Sequence, residues 1–269
     1  MRLNKIALAL SLAAFAMPLT ALAQDAAATT EETAEAPAQE VAPAAEAAPV
    51  AEAAAEEEAS SNFSWNLSVT SDYVFRGITQ TDFDPALQGG VDYAFGGSGW
   101  YVGAWASNID FVASDGPDIE LDTYVGYGTS LSDEWSVDAH AVRYSYLGEQ
   151  DSYGNIDYNE FFIGTTYNEM LTFTLAYAPD YANADFSSIY FGVGGSREVG
   201  NGFSLNAGVG HSSFSDHVGS YTDWNLGVSR SFGPVEAALT YYDTTGDYTD
   251  FLYNGKASDQ LVLSFKIGG

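Results

Sequence analysis

The stretch FFIGTTYNEMLTFTLAY, residues 161–177, decides the fold class of this chain. In its second half apolar residues hold every second position: Leu171, Phe173, Leu175 and Tyr177 alternate with Thr172, Thr174 and Ala176. A period of two is typical of a β-strand with one apolar face. The same alternation runs through Phe161, Ile163 and Tyr167, just before the short connection 168–170. Two such runs, so closely joined, predict an antiparallel β-hairpin.

The alternation recurs from residue 62 to the C-terminus and predicts twelve strands. Their connections alternate in length. The short ones are 96–99, 132–134, 168–170, 198–202 and 231–234. The longer ones are 78–86, 108–118, 148–157, 178–187, 212–220 and 243–258. Short periplasmic turns and longer extracellular loops are features of outer-membrane barrels, whereas a β-sandwich has no reason to sort its loops by end. The sequence therefore predicts an all-β fold, a twelve-stranded antiparallel transmembrane β-barrel over 62–269 with both ends periplasmic.

Aromatic residues cluster at both ends of the predicted strands, as expected where a barrel meets the two membrane–water interfaces. At the short turns they are Trp100, Trp135, Tyr167, Phe203 and Phe232. Near the longer loops they are Tyr73, Phe75, Phe111, Tyr177, Tyr221 and Tyr241. The first strand is predicted to continue to Arg76, with Tyr73 and Phe75 on its apolar face. A switch of the aromatic face at Tyr144 and Tyr146 predicts a β-bulge in another strand.

The first 61 residues differ in composition from the rest. Residues 1–23 are predicted to be a cleaved secretory signal peptide, with a basic start, an apolar run at 6–17 and an A-x-A cleavage site at 21–23. Residues 24–61 are rich in Ala, Glu and Pro and contain no aromatic residue and no base. Because such a segment has too little apolar surface to fold, we expect a disordered periplasmic tail.

The charge balance excludes several classes of protein. Lys and Arg number 8 against 37 Asp and Glu, which gives a net charge of −29. Nucleic acid would be repelled, because proteins that bind it carry a basic surface. The absence of Cys excludes disulfide scaffolds and cysteine-based zinc sites, and it suits an oxidising compartment. Together with the signal peptide, these features predict export to the outer membrane of a Gram-negative bacterium, with membrane lipid as a partner.

Residues 71–81, SDYVFRGITQT, resemble the opening motif of the TorF-type porins, a family long catalogued as a proteobacterial domain of unknown function. The similarity extends through ALQGGVDYAF at 86–95 and more loosely over 62–269. The resemblance implies a secreted outer-membrane barrel with the role of a porin. It implies no substrate and no catalytic residue.

Motifs that carry chemistry are scarce. The sequence has no P-loop, no H-E-x-x-H and no G-x-S-x-G. His211 and Ser213 share one side of a predicted strand, so a barrel enzyme acting on lipid is a minor alternative to two polar residues at the extracellular interface. The acids of the long loops do not match the EF-hand spacing. We therefore expect no enzyme activity, no cofactor and no metal site.

The polar faces of the predicted strands supply the candidate site. The predicted pore-lining residues are Asp72, Arg76, Asp92, Glu120, Asp122, Asp138, Glu160, Asp223 and Glu236, with Lys266 as a second inward base. These groups avoid the lipid face by pointing toward water inside the barrel. On the lipid face, a Lys or Arg at mid-depth would destabilise the folded barrel by about 2–4 kcal/mol. An interior with this much charge predicts a hydrated lumen, in which Arg76 pairs with carboxylates and narrows the pore.

The sequence therefore favours a porin-like channel for passive diffusion of small hydrophilic solutes, working as a monomer or a homo-oligomer. The excess of inward acids over bases predicts a preference for cations that fades as salt screens the charge. The alternative is a structural or surface-interaction barrel whose lumen is plugged by internal salt bridges. Incomplete pairing of the acids favours the channel.

Overall fold

The structure is a computed structural model, and it describes residues 62–111, 116–148, 154–245 and 257–269. The predicted signal peptide and the predicted disordered tail lie outside these described residues. Within them, no helix has the length and the apolar character needed to cross a membrane.

Twelve long strands close into one antiparallel barrel, as the sequence predicts. They are β1 (Phe63–Thr70), β4 (Ala86–Ala94), β5 (Trp100–Asn108), β6 (Pro117–Ser130), β7 (Trp135–Gly148), β8 (Tyr158–Tyr167), β9 (Leu171–Ala178), β10 (Ser188–Gly200), β11 (Phe203–Phe214), β12 (Gly219–Phe232), β13 (Val235–Thr245) and β14 (Gln260–Gly268). The ring closes where β1 pairs with β14, from Asn66 opposite Gly268 to Thr70 opposite Ser264. Two short strands, β2 (Val74–Phe75) and β3 (Ile78–Thr79), form a separate sheet with each other, and a single 3₁₀ turn, Tyr181–Asn183, follows β9.

The two ends of the barrel differ in the length of their connections, as predicted, although several predicted boundaries are wrong. The turns at 198–202 and 231–234 are shorter than predicted, because β10 continues to Gly200 and β12 continues to Phe232. The predicted long loop 212–220 is also wrong, because β11 and β12 leave only 215–218 between them. Its small polar residues suggested a loop, but Ser212 and Phe214 extend the ladder opposite Tyr221 and Gly219.

Side chains alternate between the two faces of the wall. The outward positions carry large apolar side chains that are exposed on the barrel surface, including Leu87, Phe161, Phe191, Val209 and Leu261. In water this band would be unfavourable by about 25 cal/mol per Å² of apolar surface. An apolar band around a closed barrel is the surface of a membrane-spanning protein.

The outer aromatic ring is present at the short-turn end. There Trp100 packs against Tyr127 and Trp135 packs against Tyr167, with ring centroids 5.4 and 4.9 Å apart. At the opposite end the predicted ring is wrong for four members, because Tyr73, Phe75, Phe111 and Tyr221 are all buried in the interior. These four residues belong either to connections that fold into the barrel or to the inward face of its strands.

The predicted bulge at Tyr144 and Tyr146 is also wrong. Both side chains continue the inward face of β7, and the β6–β7 register is unbroken from Ile119 opposite Leu147 down to the short turn. The irregularity of this strand pair lies at Pro117 instead. The inward face of β7 becomes aromatic at these two positions, and the alternation of side chains between its two faces does not shift.

The first connection at the long-loop end folds into the barrel. β1 ends at Thr70, so the prediction that it continues to Arg76 is wrong. Residues 72–81, here called the inner hairpin, contain β2 and β3 and are buried throughout. The ring of Tyr73 packs against Trp105 of β5, whereas Gly77 lies against β12 and β13. The inner hairpin therefore reaches from one wall of the lumen to the other.

Candidate functional site

The turn of the inner hairpin is made by Arg76 and Gly77, whose φ angles are 44° and 78°. Two successive residues with positive φ form the turn that suits a two-residue β-hairpin. A Cβ on Gly77 would overlap the Thr244 side chain and would lie 3.0 Å from Cβ of Asp223. Backbone conformation and lack of space therefore both require glycine at position 77.

The base of the inner hairpin is held by hydrogen bonds. Oδ1 of Asp72 accepts from the hydroxyls of Thr79 and Thr81, at 2.6 and 2.8 Å. The backbone of Gln80 donates to Tyr73 at 2.6 Å and accepts from Asp110 at 2.8 Å. The structure thus places Asp72 inside the barrel, where it ties the two arms of the hairpin together.

The tip of the inner hairpin delivers a guanidinium group to the opposite wall. Nη2 of Arg76 donates to Oε1 of Glu160 on β8 at 3.2 Å, and the two side chains are 2% and 0% exposed. The guanidinium carbon also lies 4.0 Å from the ring centroid of Tyr190 on β10. The hydroxyl of Tyr144 donates to the other oxygen of Glu160 at 3.4 Å. Removing one partner of such a buried ion pair is strongly destabilising, because it leaves the other charge uncompensated.

Two more predicted residues face the inner hairpin from β6. Glu120 and Asp122 are 0% and 1% exposed. Glu120 accepts a hydrogen bond from the Tyr73 hydroxyl at 3.4 Å. Neither carboxylate oxygen of Asp122 has a hydrogen-bond partner among the described residues. Burying a carboxylate without a hydrogen-bond partner costs free energy of folding, which indicates that Asp122 has a role other than stabilising the barrel.

A second polar layer lies nearer the short-turn end. The Tyr101 hydroxyl donates to Asp138 at 2.9 Å, and the Tyr124 hydroxyl donates to Asp92. His140 lies 2.6 Å from Asp138 through Nδ1. These tyrosines fill space over glycines of the neighbouring strand, so the carboxylates of this layer are engaged with the wall itself.

The two remaining predicted residues lie at different levels, Glu236 at the short-turn mouth and Asp223 beside the tip of the inner hairpin. Glu236 lies on the inward face of β13 and is half-buried, opposite the exposed Lys266 on β14. Asp223 lies on the inward face of β12, opposite Gly210, and the Tyr190 side chain lies against that glycine. The structure therefore places every predicted pore-lining residue on the inside of the barrel. Their role as the lining of a pore stays a prediction.

The long-loop half of the lumen is filled. One inward residue from each of the twelve strands is buried at this level: Thr70, Ala86, Ser107, Glu120, Tyr144, Glu160, Ala178, Ser188, Ser212, Tyr221, Tyr242 and Val262. With the inner hairpin between them, no water-filled passage touches these side chains. The prediction of a hydrated lumen is therefore wrong for this half of the barrel, because aromatic side chains and the hairpin occupy it.

The long-loop mouth carries an aromatic cluster. Tyr181, in the turn after β9, packs against Tyr158 and Phe214, with ring centroids 4.9 and 5.5 Å apart. Phe214 in turn stacks on Tyr221 at 6.3 Å. Burial raises the pKa of the Tyr181 phenol well above its usual range, so the cluster stays neutral. Sequence alternation did not identify this cluster, since it combines loop residues with strand residues.

The other chemical candidates receive no support. His211 and Ser213 face outward on β11, and Nδ1 of His211 lies 2.9 Å from the Thr222 hydroxyl instead of the serine. In the part of the chain that the structure describes, no group of three or more His, Asp or Glu side chains is placed to hold a metal ion.

The match to a protein family covers most of the chain. A family profile described as a bacterial protein of unknown function (Gcw_chp) matches residues 54–265, which include the inner hairpin and nearly the whole wall. The chain belongs to the Gcw_chp family. The match starts within the segment that the sequence assigned to the tail. No curated protein matches the Gcw_chp chain significantly.

Several solved barrels are similar to the Gcw_chp chain. The NanC porin is 13% identical, with 77% of this chain and 97% of that chain covered and a TM-score of 0.45. The KdgM porin, solved in complex with disordered oligogalacturonate, is 7% identical, with 77% and 95% covered and a TM-score of 0.45. LpxR from Salmonella typhimurium is 8% identical, with 76% and 99% covered and a TM-score of 0.39.

Proposed function

We propose that this protein is an outer-membrane channel for the passive diffusion of small hydrophilic solutes, with the inner hairpin as its gate. The observation that carries the proposal is that the wall is complete without the hairpin. β1 pairs with β4 in unbroken register from Phe63 opposite Tyr93 to Thr70 opposite Ala86. The hairpin can therefore leave the lumen without breaking a hydrogen bond of the wall ladder.

The charge of the interior supports a preference for cations. Asp92, Glu120, Asp122, Glu160 and Asp223 all point inward. Arg76, the base that faces these carboxylates, belongs to the hairpin. When the hairpin withdraws, the interior of the barrel loses this positive charge. Rings of carboxylates attract cations and repel anions, and salt weakens the effect by screening.

The cellular setting follows from the same features. The apolar outer band fits lipid, and the predicted signal peptide 1–23 supports export to the outer membrane of a Gram-negative bacterium. The resemblance of 71–81 to the opening motif of the TorF-type porins supports the same role. That motif coincides with the inner hairpin, so the proposal assigns gating to the segment that carries the resemblance.

The experiment is the reversal potential of the purified full chain in a planar bilayer under a KCl gradient. We expect a potential of cationic sign that shrinks as total salt rises. Glu120→Gln with Asp122→Asn should reduce it, whereas Asp133→Asn with Glu134→Gln, in an exposed turn at the barrel's end, serves as the matched control. A potential of anionic sign would overturn the proposed selectivity.

A second candidate function is a structural or surface-interaction barrel with a permanently plugged lumen. The burial of all inward side chains around the inner hairpin favours it. This candidate predicts no current at any voltage from protein that migrates as a folded barrel, whereas the channel predicts discrete openings.

A further inference from the structure

We propose that the wall residues around Arg76 form a binding site for the guanidinium or ammonium group of a cationic organic solute. In the closed barrel Arg76 occupies this site as an internal substitute for the solute. The inference rests on the proposed channel function, because it names the class of solute that the gate would admit.

Apart from Phe75 of the hairpin, whose ring centroid lies 4.7 Å from the guanidinium carbon, the groups that hold the guanidinium belong to the wall. Glu160 supplies a carboxylate at 3.2 Å, and Tyr190 supplies a ring face at 4.0 Å. Tyr144 donates to Glu160 from β7, so this carboxylate is oriented from the wall. A carboxylate opposite an aromatic face is the arrangement that binds flat or compact organic cations. When the hairpin withdraws, this arrangement remains in place.

The wall also carries more carboxyl groups than the hairpin carries bases. Glu120, Asp122, Glu160 and Asp223 face the hairpin, and the hairpin brings one guanidinium. The other arginines and the lysine that the structure describes lie elsewhere: Arg143 pairs with Asp157, Arg197 and Arg230 face outward, and Lys266 is at the short-turn mouth. His140 faces inward but is engaged with Asp138. Asp122 is buried with both oxygens lacking a hydrogen-bond partner in the described part of the chain. This unpaired carboxylate is a position for a second positive group.

The two positions lie close enough for one solute. Asp122 on β6 is opposite Tyr144 on β7, and Glu160 on β8 is opposite Val142, two residues earlier in β7. Two interstrand spacings separate β6 from β8, on the order of 10 Å between backbones, and inward side chains shorten the gap. The site therefore suits a solute with a guanidinium at one end and an amine at the other, and it rejects anions.

The test is chemical rescue of the full chain folded in detergent micelles. Arg76→Ala removes the internal cation, so its thermal unfolding midpoint should fall below that of the wild type. Methylguanidinium or agmatine at millimolar concentration, far below denaturing levels, should recover most of the loss. Urea, which has a similar shape but no charge, should recover none. Arg76→Gln, which keeps more of the side chain's bulk, is measured in the same way in case Arg76→Ala does not fold.

Two controls make the result specific. Arg143→Ala breaks a partly exposed ion pair with Asp157 on the outside of the barrel, and guanidinium compounds should not rescue it. Adding Glu160→Gln to Arg76→Ala should abolish the rescue. Equal recovery with urea, or no recovery in either Arg76 variant, would overturn the binding site. Rescue without any bilayer current would overturn the channel and keep the site, and current without rescue would do the opposite.

Discussion

At the scale of single residues, Gly77 tolerates little change. Its φ of 78° strains any other residue, and a Cβ there would overlap Thr244. A left-handed alanine costs about 1–2 kcal/mol, and overpacking adds roughly 1–3 kcal/mol. We expect Gly77→Ala to lower the free energy of unfolding by both amounts and to raise the open probability, since the tip is pushed off the wall. Urea titration in micelles and bilayer recording measure the two effects.

Gly97 provides the matched control for this prediction. Its φ is 69°, close to that of Gly77, but nothing lies within 4 Å of the position of its Cβ. Gly97→Ala should therefore show the backbone penalty alone and leave the open probability unchanged. Equal losses of stability in the two variants would mean that the hairpin tip is not held against the wall.

The period of two determines which individual residues could be placed correctly from the sequence. Alternation within a strand is enough to put Glu120 and Glu160 on the inside, because apolar residues of the same strands, such as Ile119 and Phe161, hold the positions that face lipid. It does not specify register, so the sequence could not show that Tyr144 would reach Glu160 or that Arg76 would rest on Tyr190. Those contacts depend on how neighbouring strands are staggered.

At the scale of elements, the inner hairpin is separable from the wall. We expect a variant with residues 73–80 replaced by a short Gly-Ser linker to keep the barrel, because the β1–β4 ladder does not use them. The folded barrel should still shift on a gel after heating, and its bilayer current should be larger and less prone to close. Loss of the folded form would contradict the assignment of the hairpin as a gate and would make it part of the folding core.

The sequence missed this element for a physical reason. Tyr73 and Phe75 keep the phase of the apolar positions of β1, so nothing in the period marks the end of the strand at Thr70. The strand ends because Asp72 accepts hydrogen bonds from Thr79 and Thr81 and the chain turns at Gly77. These residues are separated from one another along the motif. The wall strands were predictable because their alternation is interrupted only by turns.

At the scale of the whole molecule, the proposed topology places the long-loop end of the barrel at the cell exterior. The chain has no Cys, so single cysteines report cleanly. Asp216→Cys lies at the long-loop end and Ser98→Cys lies in a short turn, and both positions are exposed. A membrane-impermeant maleimide should label Asp216→Cys in intact cells and Ser98→Cys only after disruption. The reverse pattern would invert the topology.

The central claim is that the inner hairpin closes a cation-preferring channel, and a reversible lock tests it most directly. Val74 of the hairpin and Val262 of the wall belong to one buried cluster. Bilayer current is recorded for Val74→Cys with Val262→Cys before and after a short cleavable bis-thiol reagent, with each single variant as control. We predict that cross-linking abolishes the current and that reduction restores it with cationic selectivity. Current that persists unchanged while the hairpin is locked would contradict the account.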